Sequence, residues 1–390
     1  MINGWSYRQY TFYRISLGIY LLIHFLYLLP YGTEVFSHQG MLSNSTFSPI
    51  IHAFPNIFLW FDSPIIVSLI LTLGALASIL LICGRFDRTA AFCLWLILTS
   101  LFGRNPLIAN PSLPFIGWLL LAHLFIPPKP KDKFAPWQLP NGIFTAAWIV
   151  MAIGYSYSGF TKLSSPSWMD GTALFEVLSS PLARNNFFVN GLLYFPLLLK
   201  LLSYSTLVLE LLFAPLACLK KLRPYLWLTL LSMHIGLLFF LKFVDLSMGM
   251  IILHLFTFNP AWVPAKKSKS PLKIFYDGSC GLCHQFVQFI LQEMPQDRLS
   301  FSFAPQEGNQ KSIVVYDETI QSHLYKTKAI IAILNHLGGF YRLFALLLIV
   351  LPFTDFFYDL IARFRHKFFS KPSTNCPLIP SHLQKLFLET

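Results

Sequence analysis

Up to about Pro260 the chain is a succession of apolar runs separated by short polar loops, and no other feature limits its fold so tightly. A long apolar run has nowhere to hide its surface in water, whereas in a bilayer it forms a helix that satisfies its own backbone. Eight candidate spans can be counted: Thr11 to Leu29, Pro64 to Cys83, Thr89 to Phe102, Pro114 to Ile126, Ile143 to Gly159, Leu192 to Leu219, Tyr225 to Leu241 and Leu246 to Phe258. Several fall short of the roughly 20 residues of a straight span, and those at Thr89 and Pro114 are expected to be extended, tilted or only partly spanning. With 55% hydrophobic and only 12% charged residues the chain is too apolar for an ordinary soluble protein. Residues 1–263 therefore read as a polytopic α-helical membrane domain of about eight spans, followed by a basic linker at 264–271 and a smaller domain at 272–390.

The positive charges set the expected orientation. Loops on one side carry Arg85 and Arg88, then Lys129, Lys131 and Lys133, then Lys220, Lys221 and Arg223, then Lys266, Lys267, Lys269 and Lys273. The alternate loops carry only Arg104, Lys162 with Arg184, and Lys242. By the positive-inside rule both termini face the cytoplasm of a bacterial inner membrane or its equivalent. The formal charge of +12 then reflects topology and anionic headgroups rather than nucleic acid. Met1 to Tyr10 leads straight into the first span without a small-residue cleavage site, so no removable signal is expected.

Chemistry is written most plainly in Lys273-Ile274-Phe275-Tyr276-Asp277-Gly278-Ser279-Cys280-Gly281-Leu282-Cys283. A short β-rich run breaks at Asp-Gly and enters a Cys-x-x-Cys that opens a helical pattern. A thiol at the first turn of a helix faces unpaired N–H groups and the positive end of the dipole, which favours its thiolate. Cys280 is thus the expected attacking sulfur and Cys283, three residues on, the resolving one. Asp277 is either a proton shuttle or a turn former. Exchange requires Cys280 to be reachable from solvent and within bonding range of Cys283. Competing readings are half of a zinc site, a structural pair, and c-type haem attachment, since His284 completes Cys-x-x-Cys-His. No metal is assigned. Cys83, Cys93 and Cys218 lie in or near spans as small apolar residues, and Cys376 is either a third exchange thiol or an idle one.

Beyond the linker the pattern predicts strand (273–276), helix (281–294), three strands (299–304, 312–317, 322–326) and a helix (328–337). This βαβ-ββα order with Cys-x-x-Cys after the first strand suits a small α/β, thioredoxin-like domain. Pro305 ends a strand, but no proline precedes Ser312, the place where thioredoxins keep a docking cis-proline. Tyr341 to Pro352 is apolar and Asp355 to Phe369 amphipathic and basic, as for helices packed on the domain or lying in a membrane interface. The tail closely resembles the DCC family of thiol-disulfide oxidoreductases through Tyr276-Asp277-Gly278, Cys280, Cys283, Ala329, Pro352, Asp355, Tyr358-Asp359, Ala362-Arg363 and Arg365.

Charged residues inside the spans need partners. Arg14 lies near the inner end of the first, and Glu210 near the middle of the sixth, where Lys200 is too far along the helix to pair with it. His24, His123, His234 and His254 lack the i, i+4 spacing of a metal pair and read as hydrogen-bonded packing residues. Lys162 follows Tyr155-Ser156-Tyr157-Ser158-Gly159-Phe160-Thr161, ahead of Trp168-Met169-Asp170-Gly171; it is either an interfacial lysine or a base held against apolar walls. Tyr155, Gly159, Lys162, Leu163, Trp168 and Gly171 resemble the HTTM family, the membrane domain shared with vitamin K-dependent gamma-carboxylase. Arg14 with Gly18, and His234, Gly249-Met250 and Asn259-Pro260-Ala261-Trp262, extend the resemblance from Trp5 to Val263. It implies that Lys162 matches the carboxylase base, while the large lumenal segment that holds the protein substrate has no counterpart here.

The expected protein is thus a membrane-bound thiol-disulfide oxidoreductase acting on a thiol or disulfide protein or a small molecule. Dithiol exchange requires no cofactor, and the membrane domain admits a quinone-like or lipid-like ligand near Glu210 and His234. The alternatives are a lysine-based membrane enzyme related to the carboxylase, and a non-catalytic scaffold or transporter.

Overall fold

The computed structural model describes residues 3–108, 110–132, 134–266, 270–294, 301–306, 312–369, 381–384 and 386–387. The chain forms two compact units, one of Tyr7–Pro128 with Leu139–Phe258, the other of the segments 2–6 and 129–138 with everything from Asn259 onward.

The first unit is helical. Its main helices are α1 (Tyr7–Leu28), α2 (Pro64–Cys83), α3 (Asp87–Arg104), α4 (Leu113–Leu124), α5 (Asn141–Lys162), α6 (Pro196–Leu211), α7 (Arg223–Phe240) and α8 (Val244–Thr257). The boundaries of α2 follow from its sequence: Ser63 accepts the Ile66 N–H, Pro64 opens the first turn, and Gly84 closes the helix at φ +68°. Arg14 is buried and donates from Nη1 to the Leu81 carbonyl, placing its charge at the negative end of α2.

Every stretch expected to span contains helix, but eight spans are not confirmed. Among the described residues, three helices, α1, α2 and α5, are long and apolar enough to cross a membrane, and up to five spans result if each of two bent helix pairs is counted as one. At 1.5 Å per residue, α4 is only about 18 Å long against a hydrocarbon core of about 30 Å. The sixth stretch is not one helix. It bends by 96° between Phe187–Leu193 and α6, where Pro196 starts a new helix, and breaks again at Leu212. Pro215 has no N–H to return to the Leu211 carbonyl. Ser156 of α5 fills that gap: its Oγ lies 3.2 Å from both the Glu210 and Leu211 carbonyl oxygens and accepts the Ala214 N–H at 2.9 Å.

The second unit is built on a mixed four-stranded sheet in the order β2-β1-β3-β4. β1 (Leu272–Asp277) pairs in parallel with β2 (Phe301–Gln306) and antiparallel with β3 (Val314–Asp317), which pairs antiparallel with β4 (Ser322–Tyr325). Leu272, Ile274 and Tyr276 alternate along β1 and are fully buried. The crossover from β1 to β2 includes α9 (Gly281–Glu293), which buries Val287, Ile290 and Leu291. The chain continues through α10 (Lys326–Leu337), α11 (Gly339–Val350) and α12 (Thr354–Phe368), the last two meeting at 109°. On the outer side of β2, Phe303 donates its N–H to the Leu386 carbonyl at 2.8 Å and bridges to Phe387.

Candidate functional site

The end of β1 and the start of α9 place Asp277, Cys280 and Cys283 together. Asp277 Oδ1 accepts the Ser279 N–H at 2.9 Å and the Ser279 hydroxyl at 2.7 Å, which ties down the turn. Cys280 is the helix N-cap, and its Sγ accepts the Cys283 N–H at 3.4 Å. Asp277 Oδ2 is not free either: Arg365 of α12 donates to it from Nη2 at 3.0 Å, and His366 Nε2 stands 3.5 Å away. Arg365 and Asp277 are both buried, so this is an ion pair inside the protein rather than a surface contact.

These contacts bias the two thiols in opposite directions. The Cys280 thiol falls from its ordinary 9.0 to about 6, first because the Cys283 thiol hydrogen-bonds to it, then through the Cys283 N–H and the charges of Arg365 and His366, all against the cost of burial. Cys283 is pushed up, by that same hydrogen bond and by burial. The contacts thus favour the thiolate at Cys280 and the thiol at Cys283. One expectation needs correcting: Cys280 is 0% exposed and Cys283 only 4%. The sulfur begins a helix as the sequence indicated, but α12 lays Arg365 and His366 against it.

Asp277, Cys280 and His366 present ligand atoms within 4.8 Å of one another. Their charge is already met by Arg365, which also donates from Nε to His366 Nε2 at 3.2 Å. His284, the residue a haem pattern would use, donates from Nε2 to the Gly278 carbonyl at 2.8 Å. At the position where a docking proline was absent, Ile313 uses its N–H, which a proline lacks, to donate to Tyr358 Oη at 2.9 Å.

The sequence of the C-terminal part matches the DCC1-like thiol-disulfide oxidoreductase family over residues 274–371. YuxK of Bacillus subtilis (strain 168), itself uncharacterized, is 33% identical over 128 residues, covering 30% of this chain and 92% of the relative. The chain belongs to the DCC1-like thiol-disulfide oxidoreductases. No solved structure matches it significantly. The DCC1-like match includes Asp277, Cys280, Cys283, Tyr358, Arg365 and His366, and begins after the membrane-type helices. Arg365 and His366 were missed as site residues because they lie more than 80 positions downstream, in a helix whose local pattern is only amphipathic and basic. Cys376 lies outside the described residues.

The other singled-out residues gather in the first unit. Glu210 has its partner on another helix: Lys162 Nζ donates to Glu210 Oε2 at 2.5 Å and to Ser158 Oγ at 2.7 Å, and stands 5.0 Å above the Trp168 ring. Gly159 permits this crossing, since a Cβ there would come within 2.4 Å of the Leu211 nitrogen. Gly159→Ala is therefore expected to cost about 1–3 kcal/mol by forcing α5 from α6. Thermal unfolding in detergent checks this, and an unchanged midpoint refutes it. His234 hydrogen-bonds to Tyr155 Oη at 2.8 Å rather than to Lys162 or Glu210. His24 pairs with Asp245 at 3.0 Å, His123 bonds Tyr10, and His254 bonds the Met250 carbonyl.

Proposed function

We propose that this oxidoreductase works by dithiol exchange at Cys280 and Cys283 in a thioredoxin-like sheet, with Cys280 attacking and Cys283 resolving. What carries the reading is the Cys280 sulfur, which caps α9 and is favoured as a thiolate first by the Cys283 thiol, then by the Cys283 N–H and the charge of Arg365. Its burial marks the described arrangement as closed, so α12 must yield before a disulfide reaches it. Asp277 positions Arg365 and shapes the turn. Arg365, by neutralising Asp277 next to the sulfur, keeps a carboxylate from opposing the thiolate. Exchange of this kind needs no bound cofactor.

The test uses the reduced full-length chain. Alkylation of Cys280, followed by mass spectrometry, should rise with pH to half its maximum near pH 6, and Cys283→Ala should retain its partner as a stable mixed disulfide. A profile rising only near the ordinary thiol value of 9.0 sinks the reading and returns the chain to a non-catalytic scaffold or transporter.

For the membrane part, we propose an HTTM-like domain whose basic loops keep the dithiol on the cytoplasmic side, testable with a topology reporter in the loop of residues 129–138. A quinone-like ligand near Glu210 and His234 belongs to the same proposal. A second reading, a lysine-based enzyme, draws on the Lys162–Glu210 pair with Ser158. Loss of activity in Lys162→Ala with retention in Cys280→Ser would select it over the dithiol.

A further inference from the structure

The dithiol does not open onto a polar surface groove. Cys283 forms part of the wall of a half-open cavity of ≈ 540 Å³ bordered by α9, α10, α11 and α12. The wall is almost entirely hydrocarbon, including Phe286, Ile330, Leu351, Phe357 and Ile361. Its polar side chains are few, with Tyr358 and Arg365 close enough to the thiols to influence them electrostatically. Such a volume suits a small organic molecule. A protein disulfide would carry backbone N–H and C=O groups into a wall that cannot pair them, and the glutathione disulfide would carry carboxylates. The helices that form the outer wall add a second observation. Leu346, Leu347, Ile349, Val350, Phe353 and Phe356 are exposed around the bend between α11 and α12, and the last turns of α12 expose Arg363, His366 and Lys367. Exposed large apolar side chains beside a basic helix end suit the boundary of an anionic bilayer.

We infer that the substrate of this dithiol is a small apolar disulfide taken up from the lipid phase, which enters the Cys283-lined cavity and reaches Cys280 as α12, one wall of that cavity, yields. The inference rests on the dithiol reading above. The Cys280 thiolate attacks one substrate sulfur; the substrate S–S bond breaks and its other sulfur departs as a thiolate. Cys283 then attacks the mixed disulfide, the second substrate sulfur leaves with the Cys283 proton, and the Cys280–Cys283 bond forms. The substrate gains two electrons and the dithiol loses two.

The experiment is a single turnover of the reduced full-length chain in detergent, with lipoamide as the apolar probe and glutathione disulfide as the polar one, read by trapping the remaining thiols. Lipoamide should oxidise the pair faster by on the order of tenfold or more, the discrimination that about two buried methylenes provide. In Ile361→Asp that ratio should collapse toward one at the same detergent concentration, which cancels any partitioning into micelles. Ile361 is exposed, so the change leaves the core intact, and Phe357→Asp serves as an independent second variant. Equal rates for the two probes, or a ratio that survives both substitutions, overturns the apolar substrate while leaving dithiol exchange standing. Inertness toward both probes removes dithiol exchange and this inference together.

Discussion

Lys162→Ala is expected to destabilise the helical unit by about 3–5 kcal/mol, because it strands the buried Glu210 carboxylate in an apolar helix without the cation that pairs with it among the described residues. The partners are 18% and 6% exposed, so water does little to replace the lost charge. The double change Lys162→Met with Glu210→Leu should recover most of the loss, since removing both charges removes the desolvation cost as well. Thermal unfolding of the purified chain in one detergent reads Lys162→Ala, Lys162→Met, Glu210→Leu and the double variant. If Lys162→Met and Glu210→Leu each cost little and simply add in the double variant, the pair is not coupled and the first unit is held together by something else.

Arg365→Leu should produce a comparable loss, about 3–5 kcal/mol, for the same reason in the other unit: Asp277 would remain buried without its cation. It should also move the thiol chemistry. Cys280 owes its low value first to the Cys283 thiol and N–H and then to Arg365 and His366, so the alkylation midpoint should climb only part of the way from about 6 toward 9.0. The effect on stability has a definite sign. A group whose folded pKa lies below its unfolded one stabilises the folded state above the unfolded value and loses that contribution as pH falls through the folded value. The reduced chain should therefore lose stability relative to Cys280→Ser between pH 9.0 and about 6, and Arg365→Leu should narrow that window. Denaturant unfolding across this range decides it; a pH-independent difference between wild type and Cys280→Ser would mean the thiolate is not stabilised by the fold.

The dithiol was legible because its geometry is local. Asp277 and Gly278 break a strand, Cys280 caps the helix that follows, and three residues return Cys283 to the same face. The stretch from Pro64 to Cys83 was legible for the same reason, and the structure adds Ser63 and Gly84 as the caps of α2. What escaped was everything that joins distant parts of the chain. The cover over Cys280 comes from α12, and the counter-charge for Glu210 comes from Lys162, 48 positions earlier. Eight spans are not confirmed, because an apolar run says nothing of where a helix stops. Pro196 and Pro215 divide the run from Leu192 to Leu219 into pieces, and Ser156 repairs the second break from a neighbouring helix.

The pairing of Leu386 and Phe387 along β2 has a practical bearing on how the protein can be handled. Phe303 would otherwise show its backbone to any passing extended peptide, and Leu386 and Phe387 shield it. Proteolytic clipping or trimming upstream of Leu386 would therefore leave a sticky margin and invite self-association, so affinity handles and fluorescent fusions belong in a surface loop rather than at that end.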